Sequence, residues 1–357
     1  MVKKLFHPFL LSLVLMGCNT QPSAQTPSGS SSQIVIHRFD KDLFQCMESK
    51  DEKLQQALEK EYPQMLEILN KSLFNSADSS LSAVSLNLFK YYSEPTLRNL
   101  YADVIKAYDS VGDIEAALTT GFAYLHSQFP DMQIPAVYMH VSGLNQNVLV
   151  ADSLLSLSAD KYMGIEYPLY KAFFNQPQRN KMQRELVAAD YLAGWLMSEF
   201  PFTGNEQQLL DRMVYEGKIK QLVLEALPGI KMETLMGYTQ QDADWWQKNE
   251  SVLWKYIIEH KQLNTADRIT TARYFEDAHN NFPVIGAPAN TGTWLGWQIV
   301  KAYQNKSNAT LQQLMQVTDP NEILRVSEYK HKVTGAVHYH LATDYDENVF
   351  LVAFRTQ

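Results

Sequence analysis

The sequence predicts a mostly α-helical, α+β domain, a helical body with one small β-sheet, carried behind an export leader. Three observations predict it. Apolar residues recur at helical spacing along most of the chain, a β-rich cluster interrupts them near residue 136, and an uncharged Ser/Pro/Gln stretch isolates the leader from the rest.

The leader comes first. Lys3 and Lys4 precede an apolar run over 5–16, broken only by His7, Pro8 and Ser12, and Leu15-Met16-Gly17-Cys18 closes it. A mature transmembrane helix needs about 20 apolar residues, so this run fits the core of a secretory signal instead. A small residue before a cysteine matches a lipobox. Residues 1–17 therefore read as a signal peptide and Cys18 as a lipidated new N-terminus, the alternative being an ordinary signal that happens to contain a cysteine.

Residues 19–33 hold no charge, no aromatic and no aliphatic beyond Ala24. Such a stretch buries too little surface to offset its ordering entropy, so 18–33 reads as a disordered tether on a membrane lipid. Asn19 is not the aspartate that retains many lipoproteins at the inner membrane, and the tether lacks the acidic cluster that sends others to the cell exterior. Together these features point to the periplasmic face of the outer membrane.

The composition describes a globular body, with 45% hydrophobic and 20% charged residues. A net charge of −8 argues against a nucleic-acid surface. Cys46 is the one cysteine besides Cys18, so once Cys18 is acylated no intrachain disulfide can form. No later run reaches spanning length.

Residues 34–42 alternate and start with β-branched side chains, which predicts an opening strand. Over 53–70, Leu54, Leu58, Met65 and Leu69 mark an amphipathic helix broken at Pro63. Ser93-Glu94-Pro95 reads as a helix start, with proline where its missing N–H is harmless. Residues 97–128 then resemble a helix–turn–helix unit, and the absence of a second copy argues against a repeat array. From Pro135 the texture changes. Residues 136–141 end at the turn former Ser142-Gly143, and 147–157 make a second strand region, so the two predict neighbouring strands. Helices follow over 178–200, 209–227 (stopped by Pro228-Gly229), 249–260 and 292–303. These place the globular domain at 34–329. Beyond it, 330–357 reads as a C-terminal extension, a β-hairpin around an Asp/Asn-rich turn.

Several segments in this order resemble the gliding-motility lipoproteins of the GldB type, found in Bacteroidetes. They are Ser142-Gly143-Leu144-Asn145, Asp160-Lys161-Tyr162-Met163-Gly164, Tyr167-Pro168, Gly194-Trp195-Leu196, the run 209–219, Gly237-Tyr238-Thr239, the run 254–259 and the run 292–303. The resemblance covers 34–329 and implies a role in gliding on surfaces.

The architecture is also similar to a group of zinc peptidases, which implies a degenerate zincin-like metallopeptidase fold. Those proteins place a His-Glu-x-x-His helix after the small sheet and a glutamate, followed by glycine, on a later helix. Here Glu216-Gly217 stands where that glutamate would be, but the preceding helix reads Val187-Ala188-Ala189-Asp190-Tyr191-Leu192-Ala193-Gly194-Trp195. It holds no histidine, and none of the 9 histidines is followed by glutamate. Without imidazole ligands no zinc is held and no water is activated. The expectation is an empty peptidase site formed by Asp190, Tyr191, Trp195, Glu216 and Gly217, with Tyr191 or Trp195 filling substrate space. No metal or cofactor is expected.

Other constellations have plainer readings. His338 and His340 share one strand face and can meet a metal, but isolated surface histidines are commoner. Glu185, Asp190 and Glu216 can serve as acid and base, or simply belong to charged helix faces. Trp245, Trp246, Trp254, Trp294 and Trp297 line a glycan site or anchor helix packing. There is no phosphate loop and no Gly-x-Ser-x-Gly elbow. Two function classes remain. One is a non-catalytic lipoprotein that binds envelope protein partners, and the other an envelope hydrolase of peptides or peptidoglycan built around Glu216.

Overall fold

The computed structural model describes residues 33–75, 80–205, 208–265, 267–278 and 283–329, with the strands His338–Thr343 and Val349–Phe354. The expected leader and tether up to residue 32 lie outside the described residues, as do 330–337 and 344–348.

The opening strand is shorter than the alternation suggests. Only Ile36–His37 pair as β1, and Phe39–Ser49 form helix α1. The pattern changes period at that point. Phe39, Leu43 and Cys46 are buried at helical spacing, while Asp40 and Asp42 occupy the first turn, where the helix dipole favours negative charge.

Four helices follow. α2 (Glu52–Glu61) begins where the Asp51 carboxylate accepts the Lys53 N–H at 2.8 Å, and Pro63 restarts the chain as α3 (Pro63–Phe74). α4 (Leu81–Tyr92), packed against α3, leads to α5 (Pro95–Ala107), which Glu94 caps by accepting the Leu97 N–H at 2.9 Å. α6 (Gly112–Gln128) then runs to the sheet.

Strands β2 (Ala136–His140), β3 (Val148–Ala151) and β4 (Leu154–Ser158) complete a sheet of order β1-β2-β4-β3. β1, β2 and β4 are parallel, and β3 turns back antiparallel to β4. The region expected as one strand over 147–157 is thus a hairpin. Asp152-Ser153 make its turn, as short polar residues do when they bond their own backbone. On β2, His140 is fully buried, with Nδ1 2.7 Å from the Ser156 hydroxyl of β4. Burial in this apolar setting pushes its pKa down to about 3.

Past the sheet come α7 (Tyr170–Phe173), α8 (Gln176–Asn180) and α9 (Val187–Glu199). The helix expected over 178–200 is split because the Met182 carbonyl accepts the Gly164 N–H at 2.9 Å instead of a helical one. α9 lies across β3 and β4, where Gly194 permits the approach: a Cβ there would stand 2.7 Å from Val148 Cγ1.

α10 (Leu209–Ala226) ends before Pro228-Gly229, and α11 (Met232–Met236) follows. α12 (Gln240–Glu259) starts well before residue 249 because Thr239 and Asp242 form a capping box that nucleates it. α13 (Arg268–Arg273), α14 (Thr291–Ser307), α15 (Leu311–Gln316) and α16 (Pro320–Ser327) close the body, with α10 packed along α14. The C-terminal strands, β5 (His338–Thr343) and β6 (Val349–Phe354), pair antiparallel. Among the described residues no helix is long and apolar enough to cross a membrane. The molecule is mostly helical with a small mixed sheet, the class its sequence predicts.

Candidate binding cleft

After β4 the chain makes one 3₁₀ turn, Ala159–Lys161, and this turn builds the site. Asp160 is fully buried. Its carboxylate accepts the N–H groups of Ser142 at 3.1 Å and Leu144 at 2.5 Å, and the hydroxyl of Ser158. Gly143 and Leu144 take φ values of 71° and 68°, and this left-handed pair curls the loop around the carboxylate. Glycine adopts that region freely, whereas Leu144 does so against its own Cβ. Burial raises the Asp160 pKa above its ordinary value, and the hydrogen bonds it accepts oppose that rise. Asp160 thus holds a loop in shape.

The next two side chains face a cleft of about 400 Å³ that also receives Asp190, Lys181, Lys220 and Asp277. The Lys161 ammonium sits 4.3 Å from the centroid of the Phe174 ring and 3.4 Å from the Leu144 carbonyl. Burial lowers its pKa. The Tyr162 hydroxyl donates to Asp190 at 2.6 Å, and the Tyr162 carbonyl accepts the Tyr108 hydroxyl at 2.7 Å, so the ring that orients Asp190 is itself fixed. Lys181 pairs with Asp277, which also accepts the Asn290 amide at 2.5 Å. Burial alone would raise the Asp277 pKa, but Lys181, Asn290 and the nearby Lys220 together outweigh it and hold the carboxyl below its ordinary value. Val148, Met182, Leu186, Met197 and Leu235 supply apolar wall.

Of the five residues expected to share one site, the cleft holds Asp190. α9 and α10 do pack together, but the others turn elsewhere. Tyr191 and Trp195, expected to fill substrate space, are buried beneath α9. The Tyr191 hydroxyl donates to the Tyr138 carbonyl at 2.6 Å and the Trp195 indole to the Gln133 carbonyl at 3.0 Å, so both pin the helix to the sheet region. Glu216 stands 3.8 Å from Arg212, one turn back on α10, and Arg212 in turn lies 4.0 Å from the Phe275 ring centroid. The residue that α10 sends into the cleft is Lys220, one turn further on. Gly217 lies at the crossing with α14, against the backbone of Gly296. Glu185 is exposed.

The donor set does not fit zinc. Asp190 and Gly194 both line the cleft with the i, i+4 spacing that two zinc histidines on a helix would take. They offer one carboxylate, already engaged by Tyr162, and no side chain. Among the described residues no three His, Cys, Asp or Glu side chains come together as metal ligands. The side chains of His338 and His340 lie outside the described ones. The tryptophans anchor packing: Trp246, Trp254, Trp294 and Trp297 are buried, with Trp246 and Trp294 stacked at 5.2 Å.

Sequence reasoning missed Lys161, Lys181, Lys220 and Asp277 as cleft residues. For Lys161 a signal existed, because it stands between Asp160 and Tyr162 in a recognisable segment. Lys220 was reachable as the residue one turn beyond Glu216. Nothing local marks Asp277, which meets Lys181 from 96 positions away.

A family model described as gliding motility protein GldB matches residues 20–331. No curated protein and no solved structure matches the chain.

Proposed function

The chain belongs to the family of gliding motility protein GldB, and from that premise we propose that it is a lipid-anchored, non-catalytic envelope protein that docks a partner protein in the cleft beside α9. The anchor is Cys18, and the proposed location is the periplasmic face of the outer membrane. The observation that carries the docking reading is the make-up of the cleft. Its one α9 carboxylate is tied to Tyr162, its neighbour Gly194 has no side chain, and three lysine ammonium groups, more than its two carboxylates match, stand beside apolar wall. Such a surface recognises a shape and a charge, and its Tyr162–Asp190 contact serves to fix the carboxylate, since Tyr108 in turn holds Tyr162 in place. Glu216, the residue a hydrolase would have needed, is directed to Arg212.

The test is a photo-crosslinking amino acid at Ala193, in the cleft, compared with one at the exposed Leu86 of α4, in cells that express the full chain. A discrete protein adduct from position 193 and none from 86 is expected. Ala193→Trp should fill the cleft and remove the partner that co-purifies, at unchanged protein level. Equal adducts from both positions, or an unaltered partner in Ala193→Trp, would overturn the reading.

A further inference from the structure

The charge balance of the cleft points to what it binds. Lys181 pairs directly with Asp277, and Asp190 accepts the hydroxyl of Tyr162, a neutral donor that leaves the carboxylate its charge. Lys161 and Lys220 also line the cleft, and both lie within electrostatic reach of Asp277 without forming a direct ion pair among the described residues, so three ammonium groups (Lys161, Lys181, Lys220) face two carboxylates (Asp190, Asp277) and one positive charge is left over. Lys161 is not a loose surface lysine. The Phe174 ring and the Leu144 carbonyl hold its ammonium in place, so much of the entropy cost of ordering that long side chain is already met.

Building on the docking reading, we propose that the cleft takes a carboxylate of an acidic peptide segment between Lys161 and Lys220. Apolar side chains flanking that carboxylate lie against Met182, Leu186 and Met197. The chemistry favours a carboxylate over a phosphate. Lysine binds phosphate too, as a point charge, but no arginine lines this cleft to grip a phosphate bidentately, and its ammonium groups stand beside apolar wall that suits a peptide. The volume of about 400 Å³ suits a few side chains of an extended peptide.

The experiment titrates the full-length chain, in detergent micelles, with a fluorescent hexaglutamate peptide amide. The hexaglutamine peptide amide and inorganic phosphate serve as competitors. The glutamate peptide should bind, more weakly as salt is raised, and neither competitor should displace it. Lys161→Gln and Lys220→Gln should each weaken binding about tenfold, the effect of losing one charge-assisted hydrogen bond. Lys306→Gln, which alters a surface lysine paired with Glu328, should leave binding unchanged. Thermal melts establish that each variant is folded, and Lys220→Gln carries the test if Lys161→Gln is not.

Displacement by phosphate would overturn the carboxylate assignment, and an equal loss in Lys306→Gln would reduce the binding to general surface charge. If no peptide binds while the adduct from position 193 persists in cells, the carboxylate inference fails and the docking reading stands. If that adduct is also absent, both fail.

Discussion

Gly217 on α10 and Gly296 on α14 meet backbone to backbone. A Cβ on Gly217 would stand 2.4 Å from the Gly296 carbonyl carbon, and one on Gly296 would stand 1.7 Å from the Met213 carbonyl oxygen. Neither obstacle is a flexible side-chain end, so Gly296→Ala must push the two helices apart. Alanine gains about 1 kcal/mol over glycine in helix propensity, which the separation overrides. The expected net cost is about 3 kcal/mol or more, read from denaturant unfolding of the full chain. A melt within error of the wild type would contradict the close crossing.

Glu216 should matter little to stability. Its side chain is 26% exposed and its one ion pair, to Arg212, spans 3.8 Å. Pairs of this kind contribute about 0.3–0.5 kcal/mol. Glu216→Gln should therefore unfold within about 0.5 kcal/mol of the wild type and keep the crosslink from position 193. Loss of cellular function in a well-folded Glu216→Gln protein would restore the hydrolase reading.

His140 should make the fold acid-sensitive. Its folded pKa, about 3, lies below its ordinary 6.5. Between those values the unfolded chain binds the proton and the folded one does not, so stability is full above pH 6.5 and falls as the pH drops through this window. From there to about pH 5 the loss from this group is about 2 kcal/mol. Urea unfolding of wild type and His140→Gln at both pH values measures it. The variant, although less stable at neutral pH, should lose less on acidification, and parallel losses would refute the assignment.

Cys18 tests the anchor separately from the cleft. Cys18→Ser should end fatty-acid labelling and move the protein out of the detergent-soluble membrane fraction. Labelling that persists in the variant would remove the anchor from the proposal.

Much of the scaffold was legible because it depends on local signals. Pro63, Glu94-Pro95 and Pro228-Gly229 each mark a helix boundary in the structure. The family was legible as well, since the segments from Ser142 to Tyr303 fall within the matched residues. The site was less so, for a geometric reason. On α10, Glu216 and Lys220 stand one turn apart on a helix with only a weak polar–apolar division, so the pattern does not tell which of them enters the cleft. How α10 sits depends on contacts such as Gly217 with Gly296, made between segments far apart in the chain. Likewise the sequence shows Asp160, Lys161 and Tyr162 side by side but not that the first turns inward to a loop while the next two face the cleft. A 3₁₀ turn of 3 residues is too short to carry a readable period.

The way the body is entered has a mechanical consequence. β1 pairs over only 2 residues, and its approach is held by the Ile34 N–H on Thr119 Oγ1 and the Ile36 N–H on Glu115 Oε1, each at 2.9 Å. A pull delivered at residue 33 therefore loads two bonds to α6 and one very short parallel pairing before it reaches α1. These few contacts are the first elements in the force path. Under drag the first few residues would have to part from α6 and β2 before load reached α1, and their release would lengthen the connection.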